Sequence, residues 1–428
     1  MEIIKLSSKE FEEFTKNHEQ MSFHQDERWG KLKEATSWTY EMIGVKEKKK
    51  VVIAALLLYK KAPLGINMCY SPRGFIMDYS NKKLLKDFIL ELKNYLKKKN
   101  ITFLKIDPFV VYNYRDSNGE LTEENSLGKD LVKTLKDLGF KHHGLSKGIE
   151  NELQPRWIYK LSLDKDYEEL FNNFSKSTRK NILSAKKKGL VVRKAKDEDL
   201  ETVVSILEES SKRKAFILRS FNYYKQMKDN LGDMMKIYLA HLDPKVYLEQ
   251  AKVSLKEEKD RNKEILNKMA NSMVGSKLEN QKATSDRLLL KYEEELAKAQ
   301  EFAKENPKGK DIAVLISLSA GEEHLSLNSG MLEEYKSFTP KYALYEAHIK
   351  DALKEKRKWS NFYGIDGHFT KENNPMYGVY EFKKGFGGEV HELVGEFDLA
   401  IKPFMFKIYN IAFALYYKLK KIKARKKS

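Results

Sequence analysis

A long segment rich in lysine and glutamate, residues 246–305, most constrains the fold because it contains one glycine and no proline. Its first part repeats at sevenfold spacing, at Leu248, Leu255, Asn262 and Met269. In its second part, side chains recur at spacings of three and four, at Leu289, Tyr292, Leu296, Ala299 and Ala303. Gly275 separates the two parts, and Pro307 and Gly309 follow them. Two periodic segments joined at one glycine predict an antiparallel two-helix coiled coil over residues 245–308.

The chain before this segment alternates between strand-like and helix-like patterns. VVIAALLLYK (51–60) is almost entirely apolar, which is typical of a buried strand. Residues 81–100 carry leucines at helical spacing, and 101–110 form a second apolar run that is ended by Pro108. We therefore expect residues 1–150 to form a first α/β unit.

The same alternation continues on both sides of the predicted coiled coil. A strand is indicated at 158–163 before it, and another at 311–320 after it, followed by a helical pattern at 340–358. The coiled coil is therefore predicted to be an insertion in a second α/β unit, made of residues 151–244 and 309–400. Two α/β units of similar size are consistent with a duplicated acyltransferase-like unit.

The charge balance is strongly basic, with 80 Lys and Arg against 62 Asp and Glu and a net charge of +18. Such a surface attracts nucleic acid, an anionic membrane face or phosphorylated substrates. In residues 401–428 an apolar stretch is interrupted by Lys402, Lys407 and Asn410, and seven of the last eleven residues, Lys418 to Ser428, are basic. This pattern fits an amphipathic helix lying on an anionic bilayer, and it also fits a helix docked on the body with a solvated tail.

Several classes of enzyme are disfavoured by missing motifs. The sequence has no G-x-x-x-x-G-K-[ST] loop, no G-x-G-x-x-G after a strand and no G-x-S-x-G elbow. Its nine histidines show no zinc spacing, so we expect no metal site. A single cysteine, Cys69, permits no intrachain disulfide and suits a reducing cytoplasm. Since we find neither a signal peptide nor a transmembrane run, we expect a cytoplasmic protein, as a monomer or weak oligomer.

Three features outside these motifs could carry chemistry. Asp107 ends an apolar strand just before Pro108, where strand ends often open into a cleft; alternatively it is a turn residue that satisfies local backbone donors. Residues 176–194 hold eight Lys or Arg, which fits a phosphate-backbone contact as well as a solvated helix face. Arg219 and Tyr223 are four residues apart and would share a helix face, where they could grip a phosphate and stack on a ring.

A fourth feature is Lys383, in the segment YGVYEFKKGFGGEVHELVGEFDL (377–399), which is rich in glycine and aromatic residues. It could be a phosphate cradle, a rigidly held catalytic lysine or a tight hairpin with exposed charge. The glycines match no phosphate-loop spacing. An aromatic-rich strand is predicted here, which could hold Lys383 rigid and partly desolvated, so that its ammonium stabilises a developing oxyanion; a hairpin lysine with exposed charge stays open. The neighbouring Lys384 is predicted to be a solvated strand lysine.

Seven segments, in order along nearly the whole chain, resemble the Fem family of peptidoglycan bridge-forming aminoacyltransferases. They are FHQDERWGKLKEATSW (23–38), YSPRGFIMDY (70–79), FLKIDPFV (103–110), LQPRWIY (153–159), FSKSTRKNILSAKKKGL (174–190), the predicted coiled coil, and residues 377–399. The resemblance implies an α/β fold of two GNAT-like acyltransferase subdomains with the coiled coil inserted in the second.

The resemblance also implies a function and its partners. An amino acid (glycine, alanine or serine) would move from aminoacyl-tRNA, the co-substrate, to the stem-peptide amine of a peptidoglycan precursor, building the interpeptide bridge. No other cofactor is implied. The precursor would be lipid-linked or nucleotide-linked, and the basic tail favours the lipid-linked form. The protein would then lie peripherally on the anionic inner face of the plasma membrane.

Five residues match functional positions of the family. Lys33, Arg219 and Tyr223 match positions that grip the phosphates and sugar of the precursor. Asp107 matches an acidic residue near the acceptor amine, and Lys383 matches the lysine that stabilises the tetrahedral oxyanion.

One segment departs from the family pattern: where relatives carry a tyrosine-rich strand near the precursor, this chain reads HLSLNSG (324–330). A tyrosine contact is therefore lost or supplied elsewhere. Two other functions stay open. One is a catalytically inactive RNA-binding or scaffold protein of the same fold. The other is an acetyl-CoA-dependent N-acetyltransferase, although no [QR]-x-x-G-x-[GA] loop is found.

Overall fold

The computed structural model describes residues 1–62, 65–148, 153–214, 218–271 and 275–413. It shows a mixed α/β molecule built on two sheets, which confirms the predicted fold class. The charged tail that the sequence places beyond residue 413 lies outside the described residues.

Seventeen strands, numbered in chain order, form the two sheets of the described ranges. The first sheet contains β1 (Ile4–Lys5), β2 (Thr39–Glu47), β3 (Lys50–Lys61), β4 (Asn67–Ser71), β5 (Ile76–Met77), β6 (Phe103–Ile106), β9 (Phe140–His142) and β17 (Phe397–Ala400). The second contains β7 (Val111–Arg115), β8 (Leu121–Glu124), β10 (Trp157–Ser162), β11 (Leu190–Lys194), β12 (Met235–Leu242), β13 (Lys310–Ala320), β14 (Glu323–Met331), β15 (Trp359–Gly364) and β16 (Glu389–Leu393). Their orders are β1-β2-β3-β4-β6-β17-β9, with β5 beside β3, and β11-β12-β13-β14-β15-β10-β16-β7-β8.

The helices cover the faces of these sheets. They are α1 (Ser8–Thr15), α2 (Glu27–Glu34), α3 (Lys82–Lys98), α4 (Ser126–Asp137), α5 (Tyr167–Asn173), α6 (Lys176–Lys187), α7 (Leu200–Lys214), α8 (Phe221–Leu231), α9 (Pro244–Asn271), α10 (Ser276–Glu305), α11 (Pro340–Lys354) and α12 (Tyr377–Lys384). Many begin behind a residue whose side-chain oxygen accepts a backbone N–H of the first turn: Ser7, Asp26, Asn81, Asn125, Asp166, Ser175 and Ser220.

The apolar run 51–60 belongs to strand β3, which is buried on both faces. Ile53, Ala55 and Leu57 point to the face covered by α3 and α4, whereas Ala54 and Leu56 point to the face covered by α1. Because side chains alternate along a strand, a strand buried on both faces needs apolar residues at every position.

The second sheet is likewise buried on both faces. One face, which includes Leu315 of β13 and Phe362 of β15, packs against α5, α6, α11 and α12. The opposite face, which includes Val314 and Ile316, packs against α2, α7 and α8. We call these the α12 face and the α2 face. Helix α2 belongs to the first unit, so the α2 face is where the two units meet.

The sheets exchange strands across the boundary predicted near residue 150. Strands β7 and β8 precede that boundary but pair in the second sheet, where Tyr114 lies opposite His391 of β16. Strand β17 comes from the end of the chain but pairs with β6 and β9 of the first sheet. Sheet membership therefore does not follow the predicted division of the chain.

Within the segment predicted to be a coiled coil, helices α9 and α10 pack side by side in opposite directions. Near its base the ring of Tyr247 contacts that of Phe302, with centroids 5.9 Å apart. Farther out the contact is polar: Asn262 donates a hydrogen bond to Ser285 at 3.0 Å, and Ser285 donates to the buried carboxylate of Glu258 at 2.6 Å. The base, including Ala251, belongs to the core of the α12 face, so only the outer part projects from the body.

The strand predicted around Lys383 is wrong, because Tyr377–Lys384 forms helix α12. Tyr380 packs on Phe369, and Phe382 packs on Tyr342, so ring contacts on two sides hold this short helix. Lys384 is accordingly a helix residue, with its ammonium 5.9 Å from the ring centroid of Tyr380. Across the described ranges, no helix is both long and apolar enough to cross a bilayer.

Candidate active site

The residues predicted to bind the precursor form one cluster on the α2 face. Asp26 caps α2, which places Lys33 one turn after Trp29, and the Lys33 ammonium lies 4.1 Å from the Trp29 ring centroid. The same ammonium is 5.9 Å from the ring centroid of Tyr223, in the first turn of α8. The guanidinium of Arg219 lies 5.4 Å from that ring. The structure therefore brings Lys33, Arg219 and Tyr223 together.

The expectation that Arg219 and Tyr223 share a helix face is wrong, since Arg219 precedes the capping residue Ser220. The guanidinium of Arg219 nevertheless lies near the Tyr223 ring, because the chain turns at the capping residue Ser220. Burial, with Arg219 and Lys60 nearby, lowers the pKa of Lys33 to about 8. Within the described ranges no carboxylate forms an ion pair with Lys33 or Arg219. In the part of the chain that the structure describes, this cation cluster therefore has uncompensated positive charge, which attracts anions.

Asp107 is buried beside Arg73 and is not a simple turn residue. Its carboxylate accepts the backbone N–H of Arg73 at 3.0 Å, and the guanidinium lies 3.4 Å away. The same guanidinium donates to the carbonyl oxygen of Pro155 at 2.7 Å. Burial raises the pKa of Asp107 to about 6, against the lowering effect of Arg73. Both side chains are more than nine-tenths buried, so Asp107 can reach a substrate only through this pair or after a local opening.

A small recess on the α2 face lies beside Arg73. It is lined by Ser22, Phe23, His24, Arg73, Phe109, Ile158, Glu323, Leu325, Asn361 and Tyr363. Gln25 fixes this corner, because its side-chain amide exchanges hydrogen bonds with Leu56 and donates to Pro72. The ring of His24 lies 5.1 Å from that of Trp29. The ammonium of Lys33 also lies near the Trp29 ring. Burial, Arg73 and Lys33 keep the pKa of His24 well below its usual range, so this imidazole is neutral.

Lys383 lies on the other side of the second sheet. It is 5 % exposed, and its ammonium donates a hydrogen bond to the carbonyl oxygen of Gly364 at 2.7 Å. Burial, with a smaller contribution from Lys341, lowers the pKa of Lys383 to about 7. Helix α12 is pressed against α6 here, because a Cβ on Gly385 would come within 2.3 Å of the Thr178 hydroxyl. Lys383 is thus held rigidly, in a helix rather than a strand.

The end of β15 joins the two sides. Phe362 packs into the α12 face, whereas Tyr363 points to the α2 face and donates to Gln154 at 2.9 Å. The carbonyl of Gly364, the next residue, accepts the Lys383 hydrogen bond. Asp107 and the cation cluster therefore lie on one side of this strand end, and Lys383 lies on the other.

Arg73 and His24 line the site but were not selected from the sequence. A signal for Arg73 was present: β4 and β6 are parallel neighbours, with Ser71 opposite Ile106. Arg73 and Asp107 follow the carboxyl ends of these strands, where side chains of adjacent parallel strands converge. For His24 we find no such signal, since its burial depends on contacts between the two units.

Known proteins are similar to this chain over almost its full length. Residues 6–413 match the FemAB family. The aminoacyltransferase FemA of Staphylococcus epidermidis is 31 % identical over 434 aligned residues, covering 99 % of this chain and 100 % of that protein. The lipid II:glycine glycyltransferase of Staphylococcus aureus is 28 % identical, covering 95 % of each chain. The crystal structure of FemX superposes with a TM-score of 0.77 at 27 % identity, covering 95 % of this chain and 99 % of that one.

The fold and these relatives define an acyltransferase. The resemblance seen in the sequence is thereby confirmed, and the chain belongs to the FemAB family. The individual roles assigned to Lys33, Asp107, Arg219, Tyr223 and Lys383 stay predictions.

Proposed function

We propose that this protein transfers glycine, alanine or serine from aminoacyl-tRNA to the stem-peptide amine of a lipid-linked peptidoglycan precursor. The observation that carries the proposal is the cation cluster on the α2 face, where Lys33 and Arg219 flank Tyr223 without a carboxylate partner in the described ranges. Two cations and a ring suit a diphosphate joined to a sugar. The names of the FemA and glycyltransferase relatives support the same class of reaction.

The reaction needs no nucleophilic side chain, because the aminoacyl ester of tRNA is already activated. The unprotonated acceptor amine attacks the ester carbonyl carbon, forming a C–N bond and a tetrahedral oxyanion. The oxyanion collapses, the ester C–O bond breaks, and the 3′-terminal oxygen of the tRNA leaves as a hydroxyl after taking up a proton. That proton comes from the attacking nitrogen, through a base, and the nitrogen keeps its other hydrogen in the new amide, so atoms and charge balance. The products are a new amide and a deacylated tRNA.

Lys383 would stabilise the oxyanion from the α12 face. In the protonated form its ammonium keeps two further N–H donors beside the one given to Gly364. Helix α12 holds it in place before the substrate arrives, which is what makes such a donor effective.

Asp107 would act in the acceptor region together with Arg73. With a pKa of about 6 it is mostly ionised at pH 7 and can favour an ammonium or take up its proton. Asp107→Asn tests this role: a loss of the acid limb of the pH–rate profile supports it, and an unaltered profile in a folded variant excludes it.

The donor tRNA would approach the α12 face. Helix α6 packs on α12 and carries the first part of the basic run, with Lys176 and Lys180 exposed. Lys186, by contrast, is paired with Glu346 and Lys187 faces Glu257, so only part of the run is free to meet a phosphate backbone. The outer half of the helix pair offers a second surface that a tRNA could contact.

The proposal places the protein in the cytoplasm, peripherally at the inner membrane face, as a monomer or weak oligomer. The decisive experiment is mass spectrometry of the lipid-linked precursor after incubation with the protein and total charged tRNA. A mass gain names the amino acid and the number added. An unchanged precursor under conditions where the protein binds tRNA would favour the inactive RNA-binding alternative, to which the exposed basic part of α6 also points.

A further inference from the structure

A helix over 403–413 docks on the first sheet by one of its sides. Phe406 is buried against Phe103 of β6, with ring centroids 4.9 Å apart. Tyr409 stacks on the same Phe103 ring, also at 4.9 Å. The contact is aromatic and local, and it fixes which side of the helix faces outward.

The outward side carries large apolar residues. Phe404 is 76 % exposed and Ile411 is 55 % exposed, and seven residues separate them, so they lie in one stripe along the helix. Exposed Lys407 lies beside the stripe, whereas Lys402, just before the helix, donates a hydrogen bond to Asn100. Scattered single apolar residues are common on protein surfaces, but an apolar stripe next to lysines is typical of a helix that lies in a membrane interface.

Exposed lysines lie at the same end of the first sheet as the docked helix. They are Lys60 and Lys61 at the end of β3, and Lys97 and Lys98 at the end of α3. Lys60 is paired with Met68 of β4, whose other neighbour is Phe103 beneath the helix. Helix α3 ends at Lys98, from which the chain runs directly into β6. The same end of the sheet therefore presents both the apolar stripe and a rim of positive charge.

We propose that this end of the first sheet, which we call the lysine-rimmed face, docks on an anionic lipid bilayer. Phe404 and Ile411 enter the interfacial layer, and the surrounding lysines meet the lipid phosphates. The sequence adds to this charge, because seven of the last eleven residues are basic. Charge complementarity selects the bilayer over a second copy of this chain, whose own face would carry the same positive charge.

The lysine-rimmed face also connects with the cation cluster. Lys60 contributes to the lowered pKa of Lys33, so the two are close enough to interact electrostatically. At the far end of β6 lies Asp107, about 13 Å from Phe103 at the rise of a strand. A precursor held in the bilayer would thus reach the cation cluster first. This step rests on the proposed function, whereas binding to lipid does not require it.

Vesicle sedimentation tests the docking surface with the full chain. Vesicles of phosphatidylcholine with 30 % phosphatidylglycerol, on the order of a native anionic content, are compared with phosphatidylcholine alone. Wild type is expected to sediment only with the anionic vesicles, and less so in high salt. Phe404→Ser with Ile411→Ser should lower the partition coefficient about tenfold or more, since the buried apolar area is lost. The matched control is Leu90→Ser with Leu121→Ser, two leucines that are each 48 % exposed and lie elsewhere on the surface.

A single-site label tests insertion directly. The only cysteine, Cys69, is fully buried, so Phe404→Cys can be labelled selectively with an environment-sensitive dye. The dye emission should shift to the blue with anionic vesicles, and the same dye on Leu90→Cys should not respond.

Three results would overturn the proposal: no binding of wild type to anionic vesicles, equal binding by the Phe404 and Ile411 double variant, or a wild-type dimer in sedimentation velocity that this variant abolishes. The last result would assign the stripe to a second copy. Transfer to a water-soluble precursor separates this proposal from the proposed function, because the double variant should retain wild-type rates there. If wild type transfers nothing but binds vesicles, the function fails and the docking surface stands.

Discussion

The buried ammonium of Lys383 donates a hydrogen bond, 2.7 Å long, to the carbonyl oxygen of Gly364, the last residue of β15. This contact fastens the short helix α12 to β15. The residue before Gly364 in this strand, Tyr363, faces the opposite side of the sheet. A group fixed in this way costs little reorganisation when charge develops beside it.

Replacing Lys383 by methionine should therefore lower the transfer rate by ~10²–10³, the usual cost of losing one oxyanion donor. The control is Lys384→Met in the same helix, which should keep a near-normal rate because its ammonium lies over Tyr380 instead. Single-turnover transfer from charged tRNA measures both. Normal turnover by a folded Lys383→Met protein would remove this lysine from the mechanism.

The same variant should change how stability depends on pH. The pKa of lysine is 10.5 ordinarily, and burial lowers that of Lys383 to about 7 in the folded chain. Between these values the unfolded chain binds more protons, so the free energy of unfolding of wild type rises as pH increases from 7 towards 10.5. Methionine removes this contribution. Relative to wild type, Lys383→Met should be most stable below pH 7, as thermal unfolding at pH 6 and pH 9 would show.

Asp107→Asn should destabilise the fold, because it leaves the Arg73 guanidinium buried without a countercharge. Removing one partner of a buried ion pair costs about 3–5 kcal/mol. The matched control is Asp130→Asn, which breaks an exposed pair with Lys82 and should leave the unfolding midpoint unchanged. Urea titration compares the two, and equal midpoints would show that the Arg73 pair adds nothing to stability.

Lys33→Ala and Arg219→Ala should raise the KM for the precursor about tenfold each, since charge-assisted phosphate contacts contribute to ground-state binding, and should change kcat less. The double variant should lose less than the sum in free energy, because both cations flank the Tyr223 ring. Lys31→Ala is the control on the same helix, as that lysine pairs with Glu27. A fall in kcat at unchanged KM would contradict a binding role.

Removing the outer half of the helix pair should raise the KM for charged tRNA and leave the fold intact. The cut must spare the base, because Tyr247 and Phe302 belong to the core of the second sheet. Replacing residues 260–292 by a short flexible turn does so, since Lys259 and Glu293 face each other across the pair. If only solubility or self-association changes, the outer half has a structural role.

Patterns in the local sequence predicted those strands and helices whose formation depends mainly on local sequence. The apolar run 51–60 became β3, and the arms around Gly275 became α9 and α10, because periodicity alone specifies a buried strand or a paired helix. Helix α12 was missed because Gly378 and Val379 disfavour a helix, and ring contacts from α11 and the preceding loop override that preference.

The candidate site likewise has one part that could be predicted from the sequence and one part that could not. The family resemblance assigned Lys33, Arg219 and Tyr223 to one binding site, and packing of α2 against α8 joins them into one cluster. Arg73 and Asp107 each follow a strand, which was a signal for their proximity, but their burial could not be foreseen, because it requires the turn after β4 to fold over the end of β6. Contacts between the two units determine which charged groups become buried. Because these contacts follow no periodic pattern in the sequence, they could not be predicted from it.

The exchange of strands also sets the order in which the molecule can be completed during synthesis. Strand β17 lies between β6 and β9, so both keep an open edge until residues 397–400 have left the ribosome. A nascent chain thus carries unpaired strand edges for most of its translation, a state prone to aggregation and suited to chaperone binding. Quality control of this enzyme is consequently tied to the last few strands, and a product truncated before residue 397 would leave its first sheet in two pieces.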